Sequence, residues 1–305
     1  MQRLILIRLV QAFFTLLVLS AVVFFGVGMT GDAALANSPP DITKEELQHV
    51  RELMGLDKPI IVRYGYYLKD ILRGDLGRSS TMRRPALDLI LERLPNTLQL
   101  AGVGLFLAIA IGVPLGILAA VKRNSIWDQM ARWFAILGMS APQFWVAIML
   151  IMLFGAQLEW LPTYGKGGID HFILPGFAIS LFVLAGFTRL TRSAMLEVLD
   201  SEYVKFARIK GLNERLVIFK HALKNALIPV LTFGGISFAG LLNGSIVVEV
   251  VFAWPGLGRL MLESVTGRDI YVMQATILTS AFLFILMATT VDILYAYVDP
   301  RIRPR

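Results

Sequence analysis

The chain has 305 residues, of which 56% are hydrophobic and only 17% charged. A soluble domain carries about 25% charged residues, so this composition excludes an ordinary water-solvated fold and calls for a lipid solvent. The net charge of +7 and pI near 9.7 would suggest nucleic acid in a soluble protein, but here the basic residues gather in short loops between apolar runs. With no cysteine, disulfides, thiolate metal sites and thiol catalysis are excluded.

A helix needs about 20 apolar residues to cross the hydrocarbon core. The runs Leu4–Met29, Thr97–Val121, Ala131–Gly155, Ile173–Leu190, Ile228–Trp254 and Val272–Tyr297 qualify. The first is longer than the roughly 7–15 apolar residues of a signal peptide, so Ala34-Leu35-Ala36 is not read as a cleavage site. Lys122 and Arg123 follow the second run; Arg189, Arg192, Lys205, Arg208, Lys210, Arg215, Lys220 and Lys224 lie between the fourth and fifth; Arg301, Arg303 and Arg305 end the chain. The positive-inside rule places these loops in the cytoplasm. The expected fold is therefore all-α: a polytopic membrane protein with six transmembrane helices and both termini cytoplasmic. Residues 1–29 form the first span, 30–96 an external segment, and 97–305 the membrane core, with a cytoplasmic loop at 191–227.

The external segment carries helix signals of its own. Thr43-Lys-Glu-Glu46 has the form of a capping box, followed by Leu47, Val50, Leu53 and Met54 at helical spacing, with Gly55 as a stop. Pro59 opens a second stretch in which Ile61, Tyr64, Tyr67, Leu68 and Leu72 lie on or near one face, ending near Gly74. Two short amphipathic helices over the outer mouth are expected; periodicity alone is equally compatible with a folded cap that touches no partner.

No charged residue falls near the middle of a run: Arg8 and Arg189 sit toward cytoplasmic ends, Glu249 toward the outer end of run five and Asp292 toward the inner end of run six. That argues against a proton- or sodium-coupled carrier, which needs an ionisable relay or ion site near the midplane. The chain has no G-x-x-x-x-G-K-[ST] phosphate loop and no H-E-x-x-H, and His49, His171 and His221 are far apart, so neither ATP nor a metal is expected to be held here. A driven process must take its energy from another subunit.

Run five is rich in small residues: Gly234, Gly235, Ser237, Ala239, Gly240, Gly244 and Ser245, with the polar Asn243 among them. Such a stripe serves tight packing within the chain or a pathway at a two-subunit seam, with Gln143 and Asn243 as polar lining beside Gly240 and Gly244. Glu249, Trp254, Pro255, Gly256 and Gly258 read either as an outer gate or receptor contact, or as a tight turn with an interfacial tryptophan.

The loop before run five is the most structured connection. Ser201 can cap a helix through Lys210, with Gly211 as a left-handed stop, and Asn213 can cap a second helix through Leu223, leaving Pro229 at the start of run five. The first of these helices is basic and amphipathic, with Tyr203, Phe206 and Ala207 on its apolar side. It suits either a protein groove or anionic headgroups, and the residues alone leave both open.

In this loop the chain resembles the membrane permeases of ABC importers, whose loop pattern is E-A-A-x3-G-x9-I-x-L-P. Ala207, Gly211 and Leu223 are kept; Lys205, Phe206, His221 and Lys224 depart from it. The closer likeness is to the dipeptide/oligopeptide/nickel branch. It is carried by Tyr203-Val-Lys-Phe-Ala-Arg-Ile-Lys-Gly-Leu212 and His221-Ala-Leu-Lys-Asn-Ala-Leu-Ile-Pro229. Gly74-Asp-Leu-Gly77, Arg93-Leu-Pro-Asn-Thr-Leu98, Gly244–Glu249, Val251–Arg259, Arg268–Gln274, Val291–Tyr295 and Asp299–Arg303 extend it along nearly the whole chain. The long external segment resembles that of the first, B-type permease of such systems. The resemblance implies half of a transmembrane pathway, a second homologous permease, two cytoplasmic ATPase subunits that bind ATP and Mg, and an external substrate-binding protein. It also implies that Tyr203, Phe206, Ala207, Arg208 and Gly211 form the coupling surface toward an ATPase. The implied cargo is a di- or oligopeptide, with nickel, glutathione or opine-type solutes as the alternative; a stand-alone channel or receptor is the reading from a different class.

Overall fold

A computed structural model describes residues 2–28, 34, 38, 42–53 and 55–298, except for the side chains of 2, 4, 243, 244, 292 and 294–298. Asp292 and the C-terminal arginines, singled out from the sequence, lie outside that description. The helices in chain order are α1 (Gln2–Gly28), α2 (Lys44–Leu53), α3 (Ile60–Leu72), α4 (Ala86–Val121), α5 (Ile126–Ser140) and α6 (Gln143–Leu150). There follow α7 (Asp170–Leu199), α8 (Glu202–Ile209), α9 (Glu214–Leu216), α10 (Leu223–Val251), α11 (Leu257–Thr266) and α12 (Ile270–Val298). Two π-helical stretches continue α6 and α9, at Ile151–Gln157 and Val217–Ala222.

Five helical stretches are long and apolar enough to cross a membrane, and α5 with α6 makes a sixth candidate bent by 107°. The protein is thus an all-α polytopic membrane protein consistent with six spans. The bend corrects the expectation of an unbroken third run. Proline disfavours helical backbone in the residue before it. Ala141, before Pro142, is extended at φ −72°, ψ 125°, and Gln143 restarts the helix.

The chain divides into two compact units, one of residues 98–254 with 287–305, the other of 2–97 with 255–286. In the first, α7 is the inner helix: 67% of its apolar stretch is buried. Its neighbours approach through small residues, since in lipid close backbone contact substitutes for hydrophobic drive. A Cβ on Gly112 of α4 would lie 2.7 Å from the Leu184 carbonyl oxygen, and one on Gly116 2.7 Å from that of Thr188. On another side α5 runs antiparallel to α7. Buried Ala131, Ala135 and Gly138 face it, with Gly138 against Ala185 at one end and Asp128 against Arg192 at the other.

In the second unit the expected capping box forms reciprocally. The Thr43 N–H donates to Glu46 Oε2 (3.0 Å) and the Glu46 N–H to Thr43 Oγ1 (3.3 Å). The α3 helix packs on the outer half of α1: the Tyr64 hydroxyl meets Ser20 Oγ at 2.9 Å, and the Tyr67 ring lies 5.0 Å from that of Phe24. Buried Asp269 caps α12 through the Val272 N–H and accepts from the Ser79 and Thr81 hydroxyls, fixing the loop before α4.

Candidate functional site

The loop that precedes α10 folds as a short helical knob. Helix α8 ends in a Schellman arrangement: the Leu212 N–H donates to the Ala207 carbonyl (3.3 Å) and the Gly211 N–H to that of Arg208 (2.9 Å). Gly211 has φ +74°, a conformation in which a Cβ clashes with the backbone, so the turn depends on glycine. Asn213 then caps the next helix as expected, its Oδ1 accepting from the Arg215 N–H at 3.0 Å. Ser201 begins α8 without capping it: its hydroxyl donates back to the Val198 carbonyl. The second loop helix and run five are one continuous path, 214–251, through the π-helical stretch. Pro229 therefore lies inside α10 rather than at its start, a position that membrane helices tolerate when neighbours re-satisfy the freed carbonyl.

The knob is held from inside and closed from outside. Val204 and Ala207 of α8 are buried with Met195 and Leu199 of α7, Val217 and Ile218 of the π-helical stretch, and Ala226 of α10. Arg208 forks onto Glu214, Nε to Oε2 at 3.2 Å and Nη2 to Oε1 at 2.7 Å. That hydrogen bond, with the carboxylate's charge, makes the guanidinium hold its proton more tightly than usual. The Tyr203 hydroxyl accepts from Asn225 Nδ2 at 2.8 Å.

Of the five residues proposed from the sequence for this surface, three thus serve the knob itself. Ala207 packs inward, Arg208 closes the turn and Gly211 shapes it. Phe206 (61% exposed) and Tyr203 (44%) reach outward. So do Ile209, at 79% the most exposed residue of α8's apolar set, and Phe219 at 60%. Sequence reasoning passed over these two, although Ile209 follows Phe206 at i+3, on the same face.

A buried ion pair ties α5 to α7, the helix that leads into the knob. Asp128, with no exposed surface, is gripped by Arg192 through Nε to Oδ1 and Nη2 to Oδ2, with Arg132 at 3.6 Å and the Asn124 N–H at 3.0 Å. Ser125 caps α5 and makes Ser125-Ile-Trp-Asp128 a capping-box form, the one local signal for Asp128. Nothing local names its partner 64 residues away.

The pathway candidates lie on α6 and α10, two helices in contact. Gln143 is the first residue of α6, half-buried and with no hydrogen bond among the described residues. Gly240 is exposed, and a Cβ there would meet nothing within 4 Å, whereas Gly235 and Gly234 pack closely against Val291 and Phe187. Along the stripe, close packing at Gly234 and Gly235 gives way to open surface at Gly240. Asn243 and Gly244 lie in α10, their side chains outside the described set. Glu249 and Trp254 are fully buried, Trp254 edge-on to Phe172 at 4.7 Å. In the other unit Pro255 and Gly256 form a pinned turn, with Gly258 in the first turn of α11: Asn96 Nδ2 donates to the Pro255 carbonyl (2.7 Å) and Thr97 Oγ1 accepts from the Leu257 N–H (2.8 Å). Among the described residues no group of three or more His, Cys, Asp or Glu could hold a metal.

Comparison with known proteins bears on the whole chain. Residues 112–304 match the family described as the binding-protein-dependent transport system inner membrane component, and residues 1–101 its N-terminal family. The glutathione transport system permease protein GsiC of Escherichia coli O6:H1 is 42% identical over 297 residues, covering 97% of each chain; that of Salmonella typhimurium is 41% identical with the same coverage. Among solved structures, the inward-facing MetNI methionine ABC transporter matches with a TM-score of 0.60 at 18% identity, over 69% of this chain and 96% of that one. An amino acid ABC transporter matches at 0.50 and 22%, over 70% and 94%; both matches bear on the fold. The chain belongs to the binding-protein-dependent transport system inner membrane component family: it is a multi-pass bacterial inner-membrane protein and the transmembrane permease component of an ABC importer.

Proposed function

We propose that this permease is the first of two homologous permeases in a glutathione-class peptide importer, and that its α8 knob is the contact for one of two cytoplasmic ATPase subunits. ATP and Mg bind to those subunits, and an external binding protein delivers the cargo. The observation that carries the docking role is the contrast within α8: Val204 and Ala207 buried in the chain's own core, Phe206 and Ile209 left bare at 61% and 79%. A helix anchored in this way transmits a push instead of folding under it. Apolar anchors at i and i+3 suit a groove, and the basic loops put the knob in the cytoplasm. ATP-driven closure of the ATPases then rocks the membrane helices between inward- and outward-open states as rigid bodies.

On cargo, identity of 41–42% over 97% of the GsiC relatives favours glutathione over the di- or oligopeptides expected from the resemblance. The long external segment supports the first-permease position. Gln143, Gly240, Asn243 and Gly244 are the proposed pathway lining. Glu249, Trp254, Pro255, Gly256 and Gly258 hold the outer end in shape, because Glu249 and Trp254 offer no surface to a receptor and the turn after them is pinned. The test is uptake by the four-subunit transporter reconstituted with its binding protein. ATP-dependent accumulation of labelled glutathione is expected, above that of an alanyl dipeptide or nickel; preferential uptake of either competitor reverses the cargo assignment.

A further inference from the structure

Helix α3 places Arg63, Tyr66, Tyr67 and Asp70 at i, i+3, i+4 and i+7, one face, and that face lines a cavity of about 910 Å³ in the unit of residues 2–97 and 255–286. Lys58 and Gln274 also line it. The lining carries charges of both signs, Arg51, Glu52, Asp57, Lys58, Arg63 and Asp70, of which Lys58, Arg63 and Asp70 make no ion pair among the described residues. Arg63 and Asp70 are separated by two turns, about 10 Å at 1.5 Å per residue, so the helix keeps them apart. The two cations rest on aromatic faces, Lys58 Nζ 4.7 Å from the Tyr66 centroid and Arg63 6.0 Å from that of Phe24. The Gln274 side-chain amide opens onto the cavity and makes no hydrogen bond among the described residues, and the Tyr67 hydroxyl is buried without a partner. Buried polar groups are nearly always satisfied in proteins. This set is arranged for a ligand that the chain itself does not supply.

We propose that the cavity binds a small zwitterion, its anionic group between Lys58 and Arg63 and its ammonium at Asp70 and the neighbouring phenol faces, with the headgroup of an aminophospholipid as the source. Ammonium groups are drawn both to carboxylates and to aromatic faces, and guanidinium to phosphate oxygens. The lipid source is favoured by what borders the cavity. Helix α1, whose apolar stretch is only 17% buried, contributes Phe24 and Gly28 to the lining. Leu53 and Ile60, which line the cavity, are 74% and 49% exposed, apolar surface suited to acyl chains.

The assembled transporter, purified and embedded in nanodiscs of phosphatidylethanolamine or phosphatidylglycerol, tests this by native mass spectrometry. A retained phosphatidylethanolamine is expected, lost at least tenfold more readily from Arg63→Met and from Gln274→Leu and kept by Arg63→Lys; phosphatidylglycerol is not retained. Saturable calorimetric binding of free phosphoethanolamine in phosphatidylglycerol discs, without lipid retention, supports the zwitterion site and makes its source soluble. If neither probe binds, or if both bind the Arg63→Met and Gln274→Leu variants as they bind the parent, the proposal is overturned. Unchanged thermal inactivation of the Arg63→Met and Gln274→Leu variants guards against misfolding as the cause. The outcome is independent of the coupling role, which rests on α8.

Discussion

Arg192 holds Asp128 in a two-pronged grip at a point where the carboxylate has no contact with solvent. The pair ties the start of α5 to the helix that leads into the knob. Removing one partner of a buried pair costs about 3–5 kcal/mol, because the other charge stays buried alone. Arg192→Met is therefore expected to lower the thermal-inactivation temperature of the assembled transporter far more than Arg132→Met, since Arg132 stands off at 3.6 Å and is half exposed. Equal effects of the two substitutions would mean that Arg192 is not the principal partner.

Gly211 makes a second, sharper case. Its φ of +74° costs about 1–2 kcal/mol for a residue with a Cβ, more for a β-branched one. Gly211→Val is expected to weaken cargo-stimulated ATP hydrolysis while leaving the ATPases' basal rate intact; Gly211→Asn, which tolerates this conformation, is expected to be much milder. The ratio of stimulated to basal hydrolysis is the readout, and an unchanged ratio in the valine variant removes the turn from the coupling path.

Two glycines separate packing from open surface. Alanine at Gly116 forces a methyl to within 2.7 Å of the Thr188 carbonyl oxygen and 3.0 Å of the Arg192 nitrogen; alanine at Gly240 meets nothing. Overpacking of this kind costs about 1–3 kcal/mol. Thermal inactivation should fall early in Gly116→Ala and match the parent in Gly240→Ala.

The capping box makes a pH prediction. The Thr43 backbone N–H, and then its hydroxyl, hold the Glu46 carboxyl below its ordinary value of 4.5. A lowered folded-state pKa means that the cap is fully present above the ordinary carboxylate range and is lost as pH falls through the depressed value. Amide exchange at Thr43–Leu47, corrected for intrinsic rates, should accelerate on acidification; in Glu46→Gln it should not.

How much of this was legible from residues alone depends on the reach of each interaction. The Thr43–Glu46 box, the Gly211 turn and the Asn213 cap are made within a few residues, and local pattern reveals them. The break at Ala141–Pro142 lies inside a continuous apolar run, so hydropathy sees one segment where the backbone makes two. Ala207 reads as part of a docking face until Met195 and Val217 are seen to cover it. The Arg192–Asp128 pair is set by the antiparallel register of α5 on α7, which no periodicity encodes. Membrane composition was plain throughout, because lipid leaves helices as almost the only solution.

Since the chain has no cysteine, a single one can be placed without further changes. Phe206→Cys, treated with a short bifunctional thiol–amine reagent in inverted membrane vesicles, is expected to cross-link to an ATPase subunit, with a yield that shifts when a non-hydrolysable ATP analogue is added. If that cysteine instead reacts with an impermeant maleimide from the external face of intact cells, or remains open to modification with the ATPases bound and never joins them, the knob is not the point at which nucleotide energy enters this permease.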